Sequence, residues 1–94
     1  MFELRVEPDG QVFVAGRLDA AESHRAVSAF QGLRGPTTMD CSQLEYISSA
    51  GIALLMETYQ RLSDGGHVLR LVQVAPKVRL ILELAGLARL LGIS

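Results

Sequence analysis

The chain has 94 residues, a formal net charge of -1 and an apolar content of 49%. That length supports one hydrophobic core and is too short for two. The nine basic residues are scattered, which excludes a basic stripe for nucleic acid, and no apolar run reaches the roughly 20 residues of a membrane span. Nothing at the N-terminus is typical of a signal peptide. We therefore expect a single cytoplasmic domain over residues 1–94 that neither binds nucleic acid nor inserts into a membrane.

The first two elements are predicted to be a β-hairpin. Phe2, Leu4 and Val6 alternate with charged residues, which is the period of a half-buried strand. The tripeptide Pro8-Asp9-Gly10 is typical of a turn, because proline presets the first corner and glycine tolerates the second. Gln11–Gly16 then reads as the return strand.

A short helix and a strand follow the hairpin. Asp19 is expected to be the N-cap of the helix, with Glu22 completing a capping box, and Gly32 lies where the helix should end. Thr37–Cys41 is a short strand candidate, and Leu44–Ile47 leads from it toward the next helix.

The second helix has the clearest periodicity in the sequence. Its apolar residues recur at a spacing of about 3.6 and are Ile52, Leu55, Met56, Tyr59 and Leu62. Gly65-Gly66 closes it. A projection at about 100° per residue turns those apolar residues inward and turns Ala50, Ala53 and Leu54 toward solvent.

The C-terminal third predicts a strand and a helix. Val68–Val74 is a mostly buried strand, Pro76 suits the first turn of a last helix, and Gly86 stops that helix. Leu87–Ile93 could add a short turn and an edge strand. The element order is β-β-α-β-α-β-α(-β), which predicts an α/β fold with a mixed four- to five-stranded sheet and helices packed against it.

Enzymatic chemistry is not expected. The chain lacks a glycine-rich phosphate loop, and His24 and His67 have no partners at metal-ligand spacing, so we expect no cofactor and no metal. Cys41 on a strand reads as a small buried hydrophobe. A triad of Ser49, His24 and Asp19 would lack the Gly-x-Ser-x-Gly elbow of hydrolases.

The remaining candidate is Ser48-Ser49-Ala50-Gly51, at a strand-to-helix junction. One interpretation is purely structural, since serine is a favoured N-cap. It accounts for one serine only. The other interpretation adds a docking patch, in which Ala50, Ala53 and Leu54 form a small apolar surface beside Ser48 and Ser49, ringed by charge.

Three motifs resemble the STAS domain family, in particular bacterial anti-sigma factor antagonists. From residue 40 to residue 55 the chain reads DCSQLEYISSAGIALL, which is similar to the family's Asp-x-Ser stretch followed by Asp-Ser-Ser/Thr-Gly-Leu-Gly and a helix. Residues 16–19 read GRLD and resemble the family's Gly-Glu-Leu-Asp. Residues 75–78 and 85–87 resemble its last helix and the following Gly-Leu.

The resemblance implies site residues position by position. The phosphoacceptor serine of the family falls on Ser49, its preceding aspartate on Ser48 and its following hydroxyl residue on Ala50. Asp19 and Asp40 match acidic positions. The partner-binding residues implied by the resemblance and the projection are Ser48, Ser49, Ala50, Gly51, Ala53, Leu54, Asp19 and Asp40.

The implied function is a phosphorylation-controlled switch. Unphosphorylated, the chain would bind an anti-sigma factor/serine kinase, and phosphorylation of Ser49 would release it; a PP2C-type phosphatase is a further candidate partner. The alternative is a STAS-like accessory subunit of a lipid-transport ABC system, which binds the ATPase without phosphorylation. The exposed or buried state of Ser49 separates a kinase target from a purely structural serine, and the sequence leaves the oligomeric state open.

Overall fold

The computed structural model describes residues 1–93. Four strands and three helices alternate after an N-terminal hairpin. In chain order they are β1 (Phe2–Val6), β2 (Val12–Leu18), α1 (Ala20–Gln31), β3 (Thr37–Ile47), α2 (Ser49–Asp64), β4 (Leu69–Val72) and α3 (Pro76–Leu84). The predicted α/β class and element order are confirmed for these seven elements.

The strands form one mixed sheet in the order β1-β2-β3-β4. β1 and β2 are antiparallel, whereas β2, β3 and β4 run parallel to one another. The turn between β1 and β2 closes as the sequence predicts, because Gly10 takes a φ of 89° and the N–H of Glu7 donates to the carbonyl of Gln11 at 2.8 Å. Each connection between parallel strands contains a helix. The β2-to-α1 and β3-to-α2 junctions therefore both lie at the carboxyl ends of the strands, on the same side of the molecule.

Only one face of the sheet is covered. Val12, Met39 and Leu71 lie side by side in the strand register, and all three are buried. Their chain neighbours Phe13 and Asp40 point to the other face and stay partly exposed. Because side chains alternate along a strand, this pattern gives one apolar face against the helices and one open face toward solvent.

The predicted bounds of three strands were wrong. β3 is continuous from Thr37 to Ile47, because shifts in its register with β2 absorb the irregular alternation that suggested a break. β2 continues past Gly16, whose φ of 90° belongs to one of these irregularities. β4 is shorter than predicted and ends before Gln73, which has a φ of 55°.

The optional fifth strand is absent among residues 1–93. Leu87–Ile93 forms turns instead of a strand. The segment nevertheless satisfies part of the outer edge of β4, because the N–H of Leu71 donates to the carbonyl of Leu91 at 2.9 Å. Leu91 is buried and adds to the core. The apolar residues of Leu87–Ile93 therefore indicate a segment packed against the core and not a strand.

The orientation predicted for α2 was wrong at Leu54. Leu54 is only 6% exposed, because α1 packs beside α2 and covers the side that a sheet-only projection assigns to solvent. The buried residues of α2 are Gly51, Leu54, Leu55, Thr58 and Leu62. Thr58 is tolerated there because its hydroxyl donates to the carbonyl of Leu54 at 2.8 Å.

Arg61 binds the C-terminal end of α1. Its guanidinium donates to the carbonyls of Phe30 and Leu33, both at 2.8 Å. Phe30 lies in the last turn of α1 and Leu33 just beyond it, where backbone carbonyls have few partners within the helix. A side chain of α2 therefore fixes the distance between the two helices.

Candidate functional site at the strand-to-helix junctions

The candidate site lies where β2 and β3 pass into their helices. Asp19 caps α1 by accepting the N–H of Glu22 at 2.9 Å, as the sequence predicts. Ser48 caps α2 by accepting the N–H of Gly51 at 3.2 Å. Because β2 and β3 are parallel neighbours, the two junctions are adjacent, and Ser48 donates both its N–H (2.9 Å) and its hydroxyl (3.1 Å) to the carbonyl of Leu18.

The two serines of the junction have different roles. Ser48 is the N-cap, is partly buried, and uses its hydroxyl both as donor and as acceptor. Ser49 is the first residue of α2 and is exposed. The first N–H groups of a helix have no intrahelical acceptor, and the cap takes only that of Gly51. The hydroxyl of Ser49 therefore stands in solvent beside backbone donors and the positive end of the helix dipole.

Gly51 is a packing residue and not a surface contact. It is buried, although the resemblance places it among the partner-binding residues. A Cβ at this position would lie 2.8 Å from Cγ1 of Ile47 and 2.8 Å from the carbonyl oxygen of Leu18. Only glycine lets the first turn of α2 approach the strand ends this closely.

A shallow groove runs between α1 and α2 beside Ser49. Its lining residues are Ala20, Ser23, His24, Val27, Ala50, Ala53, Leu54 and Glu57. Ala50 and Ala53 are exposed, as predicted, whereas the buried Leu54 contributes to the floor of the groove. The hydroxyl of Ser23 is buried and finds no hydrogen-bond partner among residues 1–93.

The α1 side of this groove was missed by the sequence reasoning. Ala20, Ser23 and Val27 follow one another at helical spacing and are small or half-buried. That spacing marks them as one face of α1, but it does not say which element they face. The pairing of α1 with α2 supplies the missing information, because it follows from two parallel crossovers on the same sheet.

Asp40 does not belong to this site. It lies between Phe13 and Val72 on the open face of the sheet, and its carboxylate accepts the N–H of Ser42 at 2.9 Å. About 23 Å of strand, at about 3.3 Å per residue, separates it from the end of β3 at Ile47. The structure therefore brings Asp19 next to the serines and leaves Asp40 apart from them.

Nucleophilic chemistry finds no support at Cys41. Burial and the neighbouring charge of Asp40 raise the pKa of this thiol to about 12, so it remains protonated at neutral pH. His24 is exposed on the rim of the groove. Among residues 1–93, no cluster of His, Cys, Asp and Glu could hold a metal ion, and no helix is long and apolar enough to cross a bilayer.

The fold and this junction together define a class of protein. A family profile described as "Mlab, STAS domain" matches residues 4–92. The chain belongs to the STAS domain family. No curated protein sequence matches the chain.

Solved structures show the same fold at low sequence identity. The anti-sigma factor antagonist SpoIIAA in its unphosphorylated form is 18% identical, with a TM-score of 0.68 over 88% of this chain and 82% of that one. SpoIIAA of Bacillus in its phosphorylated form is 18% identical, with a TM-score of 0.66 over 96% and 87%. An antisigma-factor antagonist STAS domain from Rhodobacter sphaeroides is 19% identical, with a TM-score of 0.60 over 77% and 86%.

Replacing Gly51 with alanine should destabilise the protein. The added methyl group would overlap Ile47 and Leu18, and overpacking of this kind costs about 1–3 kcal/mol, which exceeds the gain of about 1 kcal/mol from helix propensity. Urea denaturation of the wild type and of Gly51→Ala measures the difference. Gly35→Ala is the matched control, because a Cβ there meets no atom within 4 Å. Equal free energies of unfolding for Gly51→Ala and the wild type would contradict the packing role.

Proposed function

We propose that the chain is an anti-sigma factor antagonist whose binding to an anti-sigma factor/serine kinase is controlled by phosphorylation of Ser49. The proposal rests on the different structural roles of Ser48 and Ser49. Ser48 caps α2 and binds the end of β2 through its hydroxyl. Ser49 is the first residue of α2, and its side chain is exposed and needed for neither contact. A kinase can reach it without opening the fold.

Phosphorylation of Ser49 would affect the free protein and its complex with a partner differently. A phosphate adds about -1.5 to -2 charges. On Ser49 it would meet free N–H groups and the positive end of the α2 dipole, so the free protein tolerates it. Under a docked partner the same charge would have to leave water without a matching cation, which costs several kcal/mol. Phosphorylation would therefore end the complex and keep the fold.

The proposed docking surface consists of Ser49 and the groove between α1 and α2. Ala50 and Ala53 form its exposed apolar part, next to the Asp19 junction, and Leu54 lies beneath them. Small side chains let a partner's backbone or side chain approach both helices closely. Ser23 adds a buried hydroxyl that a polar group of the partner would satisfy. Asp40 is left out of this surface because of its distance along β3.

The direct test is phosphate transfer from labelled ATP. The purified chain is incubated with each purified anti-sigma factor/serine kinase of its source organism, ATP and Mg²⁺, and the modified residue is mapped by mass spectrometry. We expect incorporation at Ser49, and no incorporation in Ser49→Ala. Ser48→Asn is the control, because asparagine still caps a helix but accepts no phosphate, and it should remain a substrate.

Incorporation at another residue, or none with any of these kinases, would contradict the proposed switch. Specific binding to the ATPase of a lipid-transport ABC system without phosphate transfer would instead support the accessory-subunit alternative. The same assay distinguishes the phosphorylation switch from the accessory subunit, because only the switch requires the hydroxyl of Ser49.

A fixed negative charge at position 49 should block docking and spare the fold. For Ser49→Asp we expect an unchanged or slightly raised melting temperature, since an acidic residue in the first turn stabilises a helix by about 0.3–1 kcal/mol. Kinase affinity should fall at least about 30-fold, because each 1.4 kcal/mol of desolvation cost is a factor of ten. Ser49→Asn, which has the same shape without the charge, should bind like the wild type in calorimetry. Equal affinities for the Asp and Asn variants would exclude a charge-based switch.

A bulky residue in the groove should also block docking. Ala53 is exposed, so Ala53→Arg should change the free energy of unfolding by less than about 0.5 kcal/mol while reducing kinase affinity at least about tenfold. Ser63→Arg places the same side chain on α2 about 15 Å further along the helix, and it should leave affinity unchanged. If both variants bind like the wild type, the partner does not use the groove.

A further inference from the structure

The outer edge of β1 is unpaired along most of its length. The sheet order places β1 at one edge, with β2 as its neighbour on one side only. The N–H of Arg17 donates to the carbonyl of Met1, and the N–H of Glu7 donates to that of Gln11, both at 2.8 Å. Odd-numbered residues of β1 therefore pair with β2, because these bonds alternate along an antiparallel strand. The backbone groups of Phe2, Leu4 and Val6 point outward.

Part of this edge is already satisfied from within the chain. The N–H of Phe2 donates to the carboxylate of Glu22 at 2.7 Å. The outward groups of Leu4 and Val6 have no such side chain aimed at them among residues 1–93. At the opposite edge of the sheet, the C-terminal segment bonds to β4 through Leu91. β1 is thus the more open of the two edges.

The charges of β1 are complementary to those of a second, antiparallel copy. Glu3 and Arg5 flank Leu4, and both lie on the open face of the sheet. The guanidinium of Arg5 lies over the ring of Phe13 at 5.1 Å and also donates to Glu7 at 2.9 Å, so Glu3 of a second copy would share it with Glu7. A two-fold axis beside Leu4 would place Glu3 of each copy opposite Arg5 of the other. Charged side chains commonly protect an edge strand against pairing, but opposite charges that face each other across two strands attract. Here the signs alternate and attract.

The apolar side chains of β1 match under the same two-fold axis. Leu4 would face Leu4 of the second copy, and Phe2 would face Val6. Val6 is 57% exposed in the single chain, which is unusual for a strand residue on the helix-covered face. A depression lies between β1 and α1, lined in part by Leu4, Ala26 and Ala29, and leaves room beside the edge on that face.

We propose that the chain forms a homodimer by antiparallel pairing of two β1 edges, giving one sheet that is continuous across both copies. Leu4 of each copy donates to and accepts from Leu4 of the other, and the N–H of each Val6 donates to the carbonyl of Phe2. In the same pair the carbonyl of each Val6 points at the N–H of Phe2, which Glu22 now binds at 2.7 Å, so the carboxylate of Glu22 turns aside as the two edges meet. The surface is distinct from the groove beside Ser49, so the proposal does not depend on the proposed switch.

The strength of the dimer follows from its size. β1 has five residues, so the interface is small and belongs to the weak, concentration-dependent class. Exposed ion pairs contribute to it, and salt screens such pairs over about 10 Å at 0.1 M ionic strength. We expect dimers at high protein concentration and low salt, and dissociation as salt is added.

Charge exchange between positions 3 and 5 tests the pairing. Sedimentation equilibrium of the full chain at low salt and increasing concentration should give a monomer–dimer equilibrium. Glu3→Arg and Arg5→Glu should each weaken it at least about tenfold, because both cross-strand pairs become repulsive. The double variant Glu3→Arg/Arg5→Glu restores opposite charges and should dimerise like the wild type. An equimolar mixture of the two single variants should form heterodimers, because each then supplies the charge that the other lacks.

The same measurements define what overturns the proposal. A wild type that stays monomeric at every concentration would overturn it, as would single variants that dimerise as well as the wild type. Leu84→Ser is the control for a different interface, since Leu84 is 81% exposed on α3, away from β1. Loss of the dimer in Leu84→Ser with no effect of the charge variants would assign the contact to α3 and reject the β1 pairing. Heterodimers in the mixture of the two single variants also show that each single variant lost association and not its fold.

Discussion

The carbonyl oxygen of Leu18 is the point on which the geometry of the site depends. It accepts the N–H and the hydroxyl of Ser48, so the last residue of β2 is bonded to the residue that starts α2. The same oxygen lies against Gly51, where any side chain would collide with it. These hydrogen bonds join the two strand-to-helix junctions directly, without an intervening loop. This arrangement fixes where α2 begins and holds Ser49 at the surface.

A docking surface built on this junction has most of its shape in place before a partner arrives. α1 and α2 are joined at one end by the Leu18–Ser48 bonds and at the other by Arg61, which donates to two carbonyls at the end of α1. The groove between the helices therefore has a set width. A ligand that meets a preformed surface loses less conformational entropy on binding than one that must order it. In the proposed switch, a phosphate on Ser49 would then act through charge alone.

Features that depend on a few neighbouring residues could be predicted from the sequence, whereas features that depend on tertiary packing could not. The capping role of Asp19 depends on a few neighbouring residues and was predicted, and one serine of the Ser48-Ser49 pair was expected to cap α2, a role that falls on Ser48. The burial of Leu54 depends on the position of α1, and Leu91 is buried in a turn that has no strand partner, so neither follows from periodicity. The site shows the same division. The exposure of Ala50 and Ala53 beside Ser49 was predicted from the helix start, whereas the α1 side of the groove and the separation of Asp40 required the sheet topology.

The departures of this chain from the family's motif make physical sense at the junction. Where the family has aspartate before the phosphoacceptor, this chain has Ser48; both residues cap helices, but only the serine hydroxyl can also donate to Leu18, which a carboxylate would repel. Where the family has a second hydroxyl, this chain has Ala50. With Ser48 engaged in two hydrogen bonds and no hydroxyl at position 50, Ser49 is the one exposed acceptor at the start of α2 in the described structure. In the proposed switch, these substitutions would leave Ser49 as the single phosphate acceptor at this junction.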